Sequence, residues 1–292
     1  MNRIATWIEG ARPKTLITAI APILIGTSIA MSEGSFHPLT FICTLLFGIF
    51  IVIGTNLTND YFDFIKGADT KERKGPRRLS QSGLVPIPMV KRAIIITFSL
   101  AACTSLFLIY RGGAGVALLA ALAILCGYLY TGGPYPLGYI GLADFFVLVF
   151  FGPVAVAGTV YLQMQTFSFL PIIAGIAPGL ICTAVLVLNN LRDIEEDRKA
   201  NKKTLPVRFG LQFGKWEYTL CLLIAAYIPV YLVIKTHDHY FSLSSLAFVF
   251  FAIPQIKKVF SSTKSIDFIP LFPNTGKLLL LYSILFSIGW LI

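Results

Sequence analysis

The sequence predicts an all-α fold, a polytopic transmembrane bundle of about nine helices with two long Asp-rich loops on one side. Three observations carry this. Of the 292 residues 56% are hydrophobic and only 13% charged, with a mean hydropathy of +0.77, which is more apolar surface than a water-soluble domain can hide. The apolar residues come in long blocks, such as Leu16 to Met31 and Leu278 to Ile292, and several reach the ~20 residues needed to cross a bilayer. Lys and Arg, finally, gather between alternate blocks.

Reading the blocks against their polar interruptions gives spans over 15–33, 38–58, 90–110, 114–130, 140–162, 170–190, 217–235, 240–255 and 276–292. The first follows a basic lead of Arg3, Arg12 and Lys14; no small-residue cleavage pattern succeeds it, so it reads as a retained span rather than a secretion signal. The eighth is short and ends near Pro254. All but Arg111 and Lys235 of the 24 basic residues then fall on one side. Because such residues resist translocation, that side is cytoplasmic, with the N-terminus inside and the C-terminus outside. The whole chain, 1–292, reads as one domain. The net charge of +10 accordingly reflects topology and anionic lipids or substrates, not nucleic acid. Cys43, Cys103, Cys126, Cys182 and Cys221 all lie in apolar blocks without close spacing, as buried thiols do. His37, His237 and His239 fall on the far side and receive no catalytic role.

Only two connections are long, 59–89 and 191–216, and both are cytoplasmic, where function concentrates. They echo each other. Asn56, Asn59, Asp60 and Asp63 close the second span, while Asn189, Asn190, Asp193, Glu196 and Asp197 close the sixth. Steps of three and four place each set on a shared helical face. Carboxylates stacked near hydrocarbon repel one another unless a cation lies between them. Oxygen donors without His or Cys favour Mg²⁺, and Mg²⁺ completes its shell with water and substrate phosphate. Basic neighbours, including Lys66, Arg73, Arg77, Arg78, Arg192, Lys202 and Lys203, supply the partner for that phosphate. The combination points to a diphosphate held between two half-sites.

The ordered motifs resemble those of the UbiA superfamily of intramembrane aromatic prenyltransferases. They are Ala11-Arg12-Pro13-Lys14-Thr15-Leu16, Asn59-Asp60-Tyr61-Phe62-Asp63, Gly75-Pro76-Arg77-Arg78, Gly138-Tyr139-Ile140-Gly141-Leu142-Ala143-Asp144, Asn189-Asn190-Leu191-Arg192-Asp193 with Asp197, and Lys203-Thr204-Leu205-Pro206. The resemblance covers about residues 7–215 and is closest to the bacterial branch acting on 1,4-dihydroxy-2-naphthoate in menaquinone biosynthesis. It implies Mg²⁺-dependent transfer of a polyprenyl chain from its diphosphate to an aromatic acid, with loss of carbon dioxide and diphosphate. Asp60, Asp63, Asp193 and Asp197 are then the expected metal ligands, with Asn56, Asn59 and Asn190 as neutral donors. Arg12, Lys14, Lys66, Arg77, Arg78, Arg192 and Lys202 are expected to face diphosphate. Asn56, Asn59, Asn190, Tyr128, Tyr130 and Tyr139 are expected in the substrate pocket. Tyr128, Tyr130, Phe145 and Phe146 are candidates to face an allylic cation, and Asp144 to handle a phenol proton. Two positions depart from the superfamily pattern: Gly67 stands four residues after Asp63, where an Asp is common, with Asp69 two further on. The loop Tyr130 to Tyr139 lacks the Lys of a Tyr-x-x-x-Lys element.

Other readings remain open from sequence alone. A 6-naphthoate isomer, 4-hydroxybenzoate or a homogentisate-type acid would demand similar charges. A phospholipid-type phosphotransferase would hold its aspartates in one compact signature, and a cation-coupled transporter would carry them near mid-span.

Overall fold

The computed structural model describes residues 3–67 and 78–292. It is 81% helix, and no strand occurs among the described residues. The helices are α1 (Arg3–Ala11), α2 (Ile17–Ser32), α3 (Pro38–Ile65), α4 (Ile87–Leu129), α5 (Ala143–Met164), α6 (Leu170–Arg192), α7 (Ile194–Lys199), α8 (Leu205–Phe209), α9 (Leu211–Thr236), α10 (Tyr240–Ser261) and α11 (Ser265–Leu291). Seven of them are long and apolar enough to cross a membrane, and α1 with its following turn forms an eighth such unit with α2, bent by 50°.

The bend in that unit has a local cause. Arg12 adopts a left-handed conformation at φ 52°, and Pro13 then starts a separate turn. The 43-residue α4 is broken at Gly113, whose φ of 74° and ψ of −162° suit glycine alone. The break falls in the gap expected between the third and fourth spans. A straight helix would hold Phe98 and Gly127 about 44 Å apart. Instead, a methyl built on Gly127 would lie 3.3 Å from the Phe98 ring and 2.8 Å from Thr55, and Phe98 also meets Gly54. The two legs therefore fold back together against α3.

At the centre is α6, apolar around most of its circumference and packed against α9, α11, α2 and α5. A Cβ on Gly175 would lie 2.7 Å from backbone atoms of Gly152 and Pro153. Helices α5 and α6 thus touch backbone to backbone, as small residues permit in a bilayer. Where they touch, α5 widens into a π-type turn at Phe150–Val154 around Gly152 and Pro153.

Several boundaries differ from expectation. Helix α10 continues through Pro254 to Ser261; packing against α9 and α11 outweighs the lost backbone hydrogen bond. The second Asp-rich connection is largely helical, since α7 and α8 occupy most of 194–209, and the first begins late because α3 extends to Ile65. Among the cysteines only Cys182 and Cys221 are buried; Cys103 is exposed, and Cys43 and Cys126 are partly so. Their apolar setting offers lipid as readily as protein core, which composition cannot distinguish.

Candidate active site

Helices α2, α3, the second leg of α4, α5 and α6 surround a cavity of about 860 Å³. Along α3 its wall runs from Thr44, Phe47 and Ile51 through Asn56 and Asn59 to Asp63; along α6 it runs from Cys182 and Leu186 through Asn190 to Asp193. Each helix therefore presents an apolar stretch, then neutral amides, then a carboxylate. The gradient follows from reading helical spacing up two walls of one cavity.

At the charged end the halves meet. Asp63 is buried in the last turns of α3. Its Oδ2 pairs with Arg78 Nη2 at 3.1 Å, while Oδ1 accepts from the Tyr139 hydroxyl at 2.9 Å and pairs with Lys202 at 3.0 Å. The same Lys202 ammonium lies 3.9 Å from Asp197 Oδ1. One side chain therefore joins a carboxylate from each Asp cluster. Asp193 caps α6 and is held by Arg192 in a two-point pair, 2.6 Å at each oxygen. Asp63, Asp193, Asp197, Arg78, Arg192 and Lys202 all line the cavity, as do Arg12, Lys14, Asn56, Asn59, Asn190, Tyr130, Tyr139 and Phe146.

Tyr139 ends the loop that lacks the Lys of a Tyr-x-x-x-Lys element. Lys202 lies 4.8 Å from its ring centroid and Lys66 4.7 Å, so the basic partners come from other segments. Its position depends on a clamp: Lys203 donates its backbone N–H to the Tyr139 carbonyl at 2.8 Å, and Arg208 Nη2 donates to the Ile140 carbonyl at 2.7 Å.

Several expected site residues lie elsewhere. Asp60 is buried but outside the cavity wall; its two oxygens accept the backbone N–H groups of Leu79 and Ser80 at 2.7 and 2.8 Å. It anchors the 78–80 segment, which brings Arg78 to Asp63. Four residues from Asn56 and three from Asp63, Asp60 shares their side of the helix, and the 78–80 segment packed over it takes its carboxylate out of the cavity wall. Lys66 also lies off the wall. Its ammonium donates to the carbonyls of Thr131 at 2.8 Å and Gly133 at 3.3 Å. Partial burial holds its pKa below the ordinary lysine value, Asp63 opposing and Lys202 adding to the effect. Tyr128 packs edge-on against Phe62 on the outer surface, and Phe145 is exposed; an aromatic-rich sequence does not tell a lipid-facing ring from a pocket ring. Asp144 is buried behind the wall, with both carboxylate oxygens unpartnered among the described residues. It opens α5 after the Gly141 turn, and this directs it into the packing of α5 rather than the cavity. Arg77 and Asp69 lie outside the described residues.

Some lining residues escaped the sequence reading. Thr131 donates to Asn59 Oδ1 at 2.8 Å, and Thr15 accepts from Asn56 Nδ2 at 2.9 Å. Thr204, within a motif already singled out, lines the cavity with a buried hydroxyl. Such hydroxyls carry no charge pattern that would mark them.

No three His, Cys, Asp or Glu side chains among the described residues gather closely enough to hold a metal unaided. Mg²⁺ does not require such a cage. It is commonly bound through one or two carboxylates plus substrate phosphate, and Asp63, Asp193 and Asp197 offer oxygen donors around one cavity.

A multi-pass membrane bundle whose cavity is charged at one end and apolar beyond has the shape and polarity to take a molecule with an anionic head and a lipid tail. Comparison with known proteins names the class. Residues 19–274 match the UbiA prenyltransferase family. The chain is 38% identical over 301 residues to a protein named 1,4-dihydroxy-2-naphthoate octaprenyltransferase from Escherichia coli, covering 99% of this chain and 96% of that one. It is 37% identical over 303 residues to a protein of the same name from Haemophilus influenzae, covering 100% and 97%. Its fold is similar to a UbiA homologue from Archaeoglobus fulgidus solved with GPP and Mg²⁺, at TM-score 0.65 and 14% identity over 97% of this chain and 99% of that one. The chain belongs to the UbiA prenyltransferase family.

Proposed function

We propose that this chain is a Mg²⁺-dependent prenyltransferase of a bacterial cytoplasmic membrane. It moves a polyprenyl group from polyprenyl diphosphate to 1,4-dihydroxy-2-naphthoate, releasing diphosphate and carbon dioxide and forming the quinol of demethylmenaquinone. The full-length similarity to proteins of that name supports the acceptor. The observation that carries the mechanism is the meeting of Asp63 and Asp197 at Lys202, at the mouth of an otherwise apolar cavity.

Asp63, Asp193 and Asp197 would hold Mg²⁺, with Asn59 as a neutral neighbour. When bound, the ion neutralises charge on the diphosphate and makes it a better leaving group. Arg78, Arg192 and Lys202 point their cationic ends at the same region and stabilise the charge that grows as the allylic carbon–oxygen bond breaks. Its electron pair leaves with the diphosphate, ring electrons of the acid form the new carbon–carbon bond, and the ring–carboxylate bond then breaks, returning its pair to the ring as carbon dioxide departs. Arg12 and Lys14, at the rim, attract the two anionic substrates. The apolar wall excludes water that would trap an allylic cation, and Tyr130 and Phe146 offer it aromatic faces.

We read 1–292 as one domain of nine spans, counting the α1–α2 unit once and the Gly113 hairpin as two. Its N-terminus is cytoplasmic and its C-terminus outside, in keeping with the distribution of Lys and Arg. The test is an assay of purified protein with labelled polyprenyl diphosphate, Mg²⁺ and a panel of aromatic acids, with mass analysis of the lipid product. A prenylated, decarboxylated naphthalenediol is expected. No product with any acid would overturn the reading, and a benzoate-derived product would change the acceptor.

A further inference from the structure

The donor's reacting carbon lies between its apolar chain and its diphosphate. On both α3 and α6 the matching place on the wall is the amide level, one helical turn below Asp63 and Asp193. The acceptor ring has to arrive at that level, so hydrogen-bonding groups left open there are candidates to orient it.

Four amides line the wall, Asn59 and Asn190 about one turn below the carboxylates, Asn56 two turns below and the half-buried Asn189 beside Asn190, and they differ in what they have left to give. Asn56 Nδ2 is already committed to the Ala11 carbonyl at 3.3 Å and Thr15 Oγ1 at 2.9 Å. Asn59 Oδ1 accepts from Thr131. Asn190 is only 6% exposed, lines the cavity, and its Nδ2 has no hydrogen-bond partner among the described residues. A buried donor without an acceptor is costly; Asn190 Nδ2 is itself closed to water, and because the residue lines the cavity, a rotation of its amide turns the donor toward an acceptor bound there.

We propose that the Asn190 side-chain amide is a specificity-determining group for the aromatic acid: it donates a hydrogen bond to a ring hydroxyl oxygen and so sets which ring carbon faces the allylic carbon. This rests on the aromatic prenyltransferase reading above. The neighbouring charges argue against diphosphate as its partner. Arg78, Arg192 and Lys202 sit beside the carboxylates and match a polyanion. A single neutral donor one turn deeper matches a neutral hydroxyl. Sites built on such a bond discriminate strongly against analogues that lack the group, because the donor is then left unpaired.

The experiment compares the purified wild type with Asn190→Leu, which keeps the approximate size without the donor, and Asn190→Ser. Two quantities are measured. The first is kcat/KM for 1,4-dihydroxy-2-naphthoate and for the two monohydroxy analogues, each lacking one ring hydroxyl. The second is the affinity for an unreactive prenyl thiodiphosphate with Mg²⁺ and no acceptor, by calorimetry. The wild type is expected to disfavour one analogue about 100-fold. Asn190→Leu should fall to that analogue's level with the full substrate, lose the discrimination, and bind thiodiphosphate within threefold of wild type. Undiminished discrimination would overturn the proposal, as would weakening of thiodiphosphate binding equal to the loss in kcat/KM. Should the Leu variant not fold, Asn190→Ser is read by the same two outcomes. If the wild type prenylates a different hydroxylated acid, the acceptor reading fails separately, and the comparison is made on that acid with and without its hydroxyl.

Discussion

Replacing Asp60 with Ala separates two roles that a motif cannot separate. The carboxylate accepts two backbone hydrogen bonds, from Leu79 at 2.7 Å and Ser80 at 2.8 Å, in a site 2% exposed. Hydrogen bonds to a charged group contribute about 1.5–3 kcal/mol each, so losing both costs about 3–6 kcal/mol, less whatever the segment regains by moving to water. Relief by that route carries its own cost, because the same segment holds Leu79 and Val85 in a small core with Leu57, Val90 and Ile94. Arg78, immediately before the anchored pair, would lose its fixed approach to Asp63. In detergent the variant should therefore melt well below wild type. The Leu79 and Ser80 amides should exchange rapidly with deuterium, and KM for prenyl diphosphate should rise more than kcat falls. Mn²⁺ binding in the presence of a prenyl thiodiphosphate, followed by electron paramagnetic resonance, should weaken only through that loss of diphosphate affinity. A variant that melted like wild type yet no longer held the ion would refute the reasoning and restore Asp60 as a metal ligand.

Other perturbations probe the remaining levels of the structure. Lys202→Met removes the ammonium shared by Asp63 and Asp197, and steady-state kinetics should show KM for prenyl diphosphate raised about 10- to 100-fold; an unchanged KM would remove Lys202 from the diphosphate site. Ala120→Trp places a large ring on the apolar wall from a nearly buried position, so turnover should persist with a ten-carbon donor and fall steeply with longer ones. Equal activity across donor lengths would mean that the chain does not lie along this wall. Gly175→Ala drives a methyl to within 2.7 Å of Gly152 and Pro153 backbone, which cannot retreat without parting α5 from α6. Destabilisation of about 1–3 kcal/mol, typical of overpacking at a tight contact, is expected in thermal melts, and a wild-type melting curve would contradict the close approach.

The sequence determined the class, the partition into apolar spans and the two acidic clusters, because each rests on a local property: hydropathy over a bilayer's thickness, charge between blocks, and spacing of three or four along a helix. The same locality explains why Asp63, Asp193 and Asp197 were legible as a group, their carboxylates being separated in the chain but alike in composition and motif. What spacing could not supply is direction across helices. Asp60 and Asp63 share a motif and a side of the helix, yet the 78–80 segment takes the first as a backbone anchor while the second lines the cavity. Asp144 and Tyr128 carry the chemistry of a site but fall behind its wall and outside it. Only the tertiary structure decided that Lys202, from beyond the sixth span, closes on Asp63 from the second, and that Asn190 keeps a buried donor without a partner among the described residues. Those outcomes depend on how helices distant in sequence are rotated against one another, and packing sets that rotation.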